Sequence, residues 1–526
     1  MINGIFKSIE LAARAVVRRC LGLARKVARV VIPVSGRRFI LRMVSIARGP
    51  DRRARIVNEV RYISGRVRYL FSRVGLRAFV IRVRNQTSRV GRAILGRSLD
   101  KLSRVTLRHA VRWAPKLSAR RLARGECRTL WGVTPILTLP LKARADRLLG
   151  FESKSIVYVT YVITSQFDIN LRKYYIIAAG LGVLPSFQRL VLAWHLLRCD
   201  VFSFFADRGL LDSPKRLQID FDELAALREA GKRVYIYAYG ADVRTRQATL
   251  ALGRWNFCSD CLDPPKYCTC DDTEGERYIA KLAANTTALV SLGDMLTYMP
   301  TAVHLNYWPI DFERIGLAEP VDSNRPLRIG HAPNHTHFKG SHYLEETISR
   351  LKERGYEIEY FKVQGVPNTQ VLSLFATCDL VADQFIGGAI GYTALEAMAL
   401  GRPVLSFVRT PDLVEAAGEC PIINTTPDTL EEALLWVLNN RGALSAIGQQ
   451  GRIYVERWHT VDAVASRLGA LYRQTANFPE PVLRKIDKQH EKEVSRRNSI
   501  SIGEGWHHPF RVDRPICSAS TKGQSR

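Results

Sequence analysis

Ile386 to Ser406 reads IGGAIGYTALEAMALGRPVLS. A glycine-rich turn comes first, then a run of small and apolar helix formers, then a Gly401-Arg402-Pro403 break and an apolar strand. Just upstream, CDLVADQ (Cys378–Gln384) is an apolar strand that ends in Asp383-Gln384. Strand, turn, helix and strand in that order form a unit of a parallel α/β sheet. In such a unit Gly387, Gly388 and Gly391 let the backbone approach a ligand, and the free amides at the helix start attract anions. Glu396 lies one turn beyond Gly391, on an otherwise small apolar helix where an acid has little packing purpose.

The same pattern extends outward. Upstream, RIGHAPNHTHFKGS (Arg328–Ser341) reads as a strand, a polar loop, and Lys339-Gly340 opening a helix, which places an ammonium at a second strand-to-helix junction. Candidate strands are 155–162, 200–205, 233–238 and 288–292, then, after a connector at 304–312, 327–331, 357–363, 379–382 and 403–407. Helices are expected at 222–229, 343–354, 369–376, 392–400 and 429–439. The expected fold is therefore α/β: two consecutive doubly wound, Rossmann-like domains, residues 150–310 and 311–478, with ligands at the carboxyl ends of their strands. Residues 479–526 are polar and carry no core pattern, so disorder is expected there.

Residues 328–406 resemble the nucleotide-sugar half of a glycosyltransferase of the GT-B fold, most similar to glycosyltransferase family 4, with the likeness running over 325–475. KRVYIYAYGADVR (Lys232–Arg244) and ALVSLGDMLTYMP (Ala288–Pro300) are more loosely similar to that family's acceptor-side domain. The resemblance implies a nucleotide-diphosphate sugar as donor, bound by Lys339, Asp383, Gln384, Gly387, Gly388, Gly391 and Glu396. The position matching Glu396 contacts the nucleotide ribose, and that matching Lys339 neutralises the departing diphosphate. Tyr239, Gly240, Asp242 and Arg244 fall on the acceptor side, with Asp242 joining Lys339 and Glu396 as a candidate catalytic group. Transfer with retention of configuration is implied, and no cofactor is needed for it. The chain departs from the family at three sugar-facing positions: Gly388 stands where many members carry a second Glu, Asn334 where an Arg is common, and Tyr239 where a His precedes the glycine.

Charge is divided unevenly. The 526 residues carry a formal charge of +29. Residues 1–130 hold 33 Lys and Arg against five acids, and the remainder of the chain is nearly neutral. Apolar residues recur every three or four positions through 5–30, 56–74 and, less regularly, 99–113, with arginines between them. Basic amphipathic helices of this kind suit an anionic membrane surface, giving a cytoplasmic, peripherally bound protein. An accessory bundle with a solvated basic face, a nucleic-acid-binding segment, and an organellar leader at 1–30 are the competing readings. No uncharged apolar stretch of about 18 residues occurs, which argues against a transmembrane helix. A non-catalytic sugar-nucleotide-binding or scaffolding subunit is the alternative for the whole chain.

Cys258, Cys261, Cys268 and Cys270 form C-x2-C-x6-C-x-C around Pro264-Pro265. In a reducing compartment four thiolates at this spacing suit a structural zinc; disulfide pairing and free thiols are the alternatives.

Overall fold

The computed structural model describes residues 89–516 apart from 263, 265 and 320–323. The expectations for residues 1–88 and 517–526 lie outside the described residues. Residues 100–175 and 185–526 form one compact unit, and both sheets described below belong to it.

The first sheet has seven strands: β1 (Arg128–Val133), β2 (Glu152–Val157), β3 (Ile169–Asn170), β4 (Val201–Phe205), β5 (Arg233–Tyr237), β6 (Ala288–Ser291) and β7 (Val303–His304). Every pairing is parallel, in the order β3-β2-β1-β4-β5-β6-β7. Parallel strands are covered on both faces, so they read as near-continuous apolar runs; VFSFF of β4 is buried at all five positions. The strand order reverses between β1 and β4, and doubly wound sheets open a crevice at that point.

The second sheet has five parallel strands: β8 (Leu327–His331), β9 (Ile358–Lys362), β10 (Leu380–Ala382), β11 (Val404–Ser406) and β12 (Ile423–Asn424), in the order β12-β11-β10-β8-β9. Its order reverses between β8 and β10. The turn after β8 leads to Lys339, and the turn after β10 begins with Asp383-Gln384.

The helices that frame these sheets are α1 (Arg89–Ala123), α2 (Leu139–Leu148), α3 (Phe221–Glu229), α4 (Asp272–Asn285), α5 (Ser341–Glu353), α6 (Asn368–Phe375), α7 (Tyr392–Ala399), α8 (Leu430–Asn439), α9 (Leu444–Trp458), α10 (Val461–Thr475) and α11 (Glu480–Asn498). Caps fix several starts: Asp220 accepts from the amides of Asp222 and Glu223 before α3, and Thr460 accepts from Ala463 before α10. Among the described residues no helix is long and apolar enough to cross a membrane.

Three expectations need correction. First, the α/β body begins before residue 150. β1 is an inner strand of the first sheet, and Ala110, Val111, Ala114 and Leu122 of α1 are buried in its core. The arginines of residues 99–130 masked this, yet Arg121 is itself buried and paired with Asp200, Nη2 to Oδ1 at 2.7 Å. Second, residue 478 does not close the second domain. Val464, Leu468, Leu471 and Tyr472 of α10 join the core of the first sheet, and Tyr472 Oη donates to Asp146 at 3.0 Å. Third, residues 480–498 are helical. α11 buries Val482 and Ile486, and Lys485 Nζ donates to the Gly125 carbonyl at 2.7 Å. Two apolar residues suffice to dock this helix, which is too thin a stripe to stand out from its charges.

Candidate functional site

The crevice of the second sheet is built from the ends of β8 and β10. His331, the last residue of β8, is buried, and burial lowers its pKa to about 4, so the ring is neutral. Its Nδ1 lies 2.9 Å from the Ala382 carbonyl and its Nε2 2.7 Å from Ser341 Oγ. Nδ1 therefore donates to β10, and Nε2 accepts from the first residue of α5. That ring ties the Lys339-Gly340 corner to the end of β10. Gly340 has φ +65°, and a Cβ there would meet Ile386, Tyr343 and Phe385 at 3.3–3.4 Å. Lys339 Nζ then stands 2.5 Å from Asp383 Oδ1, and the Phe385 amide donates to the Lys339 carbonyl at 3.0 Å.

Asp383 is 2% exposed, and its Oδ2 has no hydrogen-bond partner among the described residues. That oxygen faces Gly391, where a Cβ would collide with it. An unsatisfied buried carboxylate oxygen is costly, and one at a crevice beside a glycine marks a place where a ligand donor fits. Gln384 donates from Nε2 to the Ala389 carbonyl and bends the glycine loop over itself. A Cβ on Gly387 would strike Gln384 and Phe257, and one on Gly388 would strike Arg409 and Asp294. All three glycines are thus required by close approach, and here the chain's own side chains make that approach. Glu396, on α7, is 5% exposed and accepts from Asn368 Nδ2 at 2.8 Å. Burial lifts its carboxyl to about 7, against the Asn368 hydrogen bond and Arg314, with Asp383 adding to the rise.

The crevice of the first sheet collects Thr134, Asp207, Tyr239 and Asp242. Thr134 Oγ1 donates to Asp207 Oδ1 at 2.6 Å, and Tyr239 Oη reaches Asp207 Oδ2 at 3.5 Å. Asp242 is 1% exposed and accepts from the amides of Tyr239 and Gly240 at 3.1 and 2.9 Å. Burial, then the charge of Asp207, raises its pKa to about 7, while those amides oppose the rise. The carboxylate of Asp242 therefore holds its own loop in shape. Arg244 keeps its amide on the Gly240 carbonyl at 3.1 Å but turns its side chain toward the cysteine segment: its guanidinium lies 3.9 Å from the Phe257 ring and 5.4 Å from that of Phe338, and Nη1 donates to Cys268 Sγ at 3.4 Å.

A metal at the cysteine segment is not shown. Among the described residues no group of three or more His, Cys, Asp or Glu side chains is arranged to hold one, and Cys258, Cys261, Cys268 and Cys270 are all free thiols. Burial raises the thiol pKa of Cys270 to about 11, with its cysteine neighbours adding to the rise. Other contacts give the segment its shape. Asn256 Oδ1 accepts from the amides of Cys258 and Ser259 at 2.8 and 3.0 Å. Trp255 packs on Tyr343, Phe257 on Phe338, and Tyr267 on His335, with ring centroids 5.0–5.8 Å apart. The segment thereby lies against the Lys339 loop of the second sheet.

Asp207, Asp294, Asn368 and Arg409 belong to these crevices but escape sequence reasoning. Each follows a strand end or opens a helix, and that position is the signal that could have found them. A narrow cleft continues from the glycine loop between the sheets, past Gly293, Trp308, Gly388, Thr410 and Glu415.

No family model and no curated protein matches the chain. Among solved structures it is similar to the Anabaena HepE protein in complex with UDP-glucose, at 14% identity over 66% of this chain and 99% of that one, with a TM-score of 0.42. It is also similar to sucrose-phosphate synthase from Thermosynechococcus elongatus, at 12% identity over 66% and 98%, TM-score 0.41. The catalytic domain of starch synthase IV from Arabidopsis thaliana bound to ADP and acarbose gives 13% over 69% and 99%, TM-score 0.36.

Proposed function

We propose that the chain is a glycosyltransferase that moves a sugar from a nucleotide-diphosphate donor to a glycan or lipid-linked acceptor. One observation carries this reading: at the reversal point of the second sheet, a half-buried cation (Lys339), a carboxylate oxygen lacking a described partner (Asp383 Oδ2) and the glycine loop opening α7 converge, with buried Glu396 one turn on. The donor's diphosphate would lie against Lys339 and the loop amides, and Glu396 would accept hydroxyl donors from the ribose. As the bond to the sugar breaks, negative charge grows on the diphosphate, and fixed positive groups lower the barrier where that charge appears. Asp242 is engaged with its own loop amides, so chemistry led by the leaving group, with retention of configuration, fits better than chemistry led by a strong base at that position. No resident cofactor is called for. The acceptor would enter at the first sheet's crevice, beside Asp207 and Tyr239. The arginine-rich stretch ahead of α1 would hold the protein at the anionic cytoplasmic face of a membrane.

A non-catalytic sugar-nucleotide-binding subunit is the second reading. It is favoured by Gly388, which carries no side chain toward the crevice and whose space is filled by Arg409 and Asp294. Transfer and hydrolysis assays with UDP-, ADP- and GDP-hexoses, run beside calorimetry with the free diphosphates, separate the two. Lys339→Ala should lower turnover by roughly a hundredfold or more. Near-normal turnover in that variant overturns the enzymatic assignment, and binding without any turnover supports the subunit.

A further inference from the structure

Two cations flank the glycine loop, and each is matched to a carboxylate. Lys339 pairs with Asp383 inside the second sheet's crevice. Arg409, three residues past the end of β11, pairs through Nη1 with Asp294 Oδ2, which comes from the end of β6 in the first sheet. Both members are largely buried, with side-chain exposures of 17% and 9%. The Arg409 amide donates to the Gly388 carbonyl at 3.0 Å, and Nη2 donates to the Trp255 carbonyl. Gly388 makes room for the pair, and Gly293, beside Asp294, has φ +52° and would put a Cβ 2.7 Å from that of Ala389. Bare backbone on both sides lets the two loops close around one ion pair.

We infer that Asp294 holds the place of the donor's diphosphate, and that Arg409 is a second cation for that diphosphate, released to it when Asp294 withdraws. The inference rests on the donor site proposed above. Arg409 is joined by its own amide to the loop whose amides face the anion, so its guanidinium is within reach of a group lying on that loop. A guanidinium suits the task because its planar fork binds two phosphate oxygens at once. A diphosphate entering beside an intact Arg409–Asp294 pair would meet a neutralised cation and a repelling carboxylate, so the two anions compete. Asp383 belongs to the same sheet as the loop, whereas Asp294 belongs to the other sheet and can withdraw with it. Donor binding and separation of Asp294 from the glycine loop are thereby coupled through one guanidinium.

The competition predicts effects of opposite sign at the two residues, which a purely structural ion pair does not produce. Calorimetry of the full chain with UDP, ADP and GDP, using the tightest of the three, is compared with the matching nucleoside. Arg409→Gln should weaken the diphosphate roughly tenfold to a hundredfold and leave the nucleoside unchanged. Asp294→Asn, which keeps the shape and removes the charge, should tighten the diphosphate several-fold. Circular dichroism and melting curves establish that each variant is folded. If Lys339→Ala weakens the diphosphate but Arg409→Gln does not, or if Asp294→Asn weakens it, the inference falls and the donor site stands. If the native chain binds none of the three diphosphates, both fall.

Discussion

Asn368 Nδ2 donates to Glu396 Oε1 at 2.8 Å, joining the start of α6 to the middle of α7 through a carboxylate that is 5% exposed. Burial raises that carboxyl from the usual 4.5 to about 7. Between these values the folded chain keeps a proton that the unfolded chain has released. Stability from this group is therefore fully present below about pH 4.5 and is lost as pH rises through 7. Glu396→Gln keeps the acceptor oxygen and removes the titration. Its melting temperature should gain on the native chain steadily between pH 5 and 8, while affinity for a nucleoside diphosphate falls. Parallel melting curves across that range would show that Glu396 does not titrate as a buried acid.

Gly388→Ala tests how tightly the two sheets meet. The added methyl group would collide with Arg409 and Asp294, which hold each other across the crevice. Overpacking of this kind costs roughly 1–3 kcal/mol. Urea unfolding should show a lower midpoint with an unchanged slope. An unaltered midpoint would mean that the pair moves aside without cost and that the crevice is looser than its contacts indicate.

The inner strands were legible because parallel sheets demand continuous apolar runs. VFSFF, RVYIY and LVA announce themselves by composition. β1 was not, because its sequence RTLWGV follows α1, whose arginines dominate the local pattern; the buried Arg121–Asp200 pair that explains one of them is a contact between residues 79 apart. α10 and α11 were hidden for a related reason. The thin apolar stripe of α11, Val482 and Ile486, is lost among its charges, and nothing in the pattern of α10 says that it returns to the first sheet. At the site, Lys339 and Asp383 were readable as strand-end residues, and the structure joins them. Arg244 was not: its partners Phe257, Phe338 and Cys268 come from two separate segments. The Cys spacing suits zinc; the contacts of Asn256 and the aromatic rings that also shape that loop come from side chains no spacing rule singles out.

The cysteine segment makes a prediction of its own. With its shape set by Asn256, Arg244 and ring contacts, chelation by EDTA should leave the melting temperature unchanged. Arg244→Ala should lower it, because the guanidinium is packed against Phe257 and donates to Cys268. Release of zinc on unfolding, with a fall in melting temperature after chelation, would restore the metal reading.

The boundary of the α/β body is open to a direct test. β1 is bonded to β2 on one side and β4 on the other, so removing it divides the first sheet at its reversal point. A chain beginning at residue 134 should not fold cooperatively, and one beginning at residue 89 should. Within the longer chain, Arg121→Ala leaves Asp200 buried without its guanidinium. Asp200 is 0% exposed and also accepts from the Arg128 amide at 3.0 Å, at the first residue of β1. Breaking a buried pair by removing one partner costs roughly 3–5 kcal/mol. Chemical denaturation of Arg121→Ala should therefore show a large loss of stability, whereas Arg104→Ala, whose exposed pair with Asp100 is worth little, should show almost none. Equal, small losses in the two variants would place α1 outside the core and return residues 99–130 to a surface role.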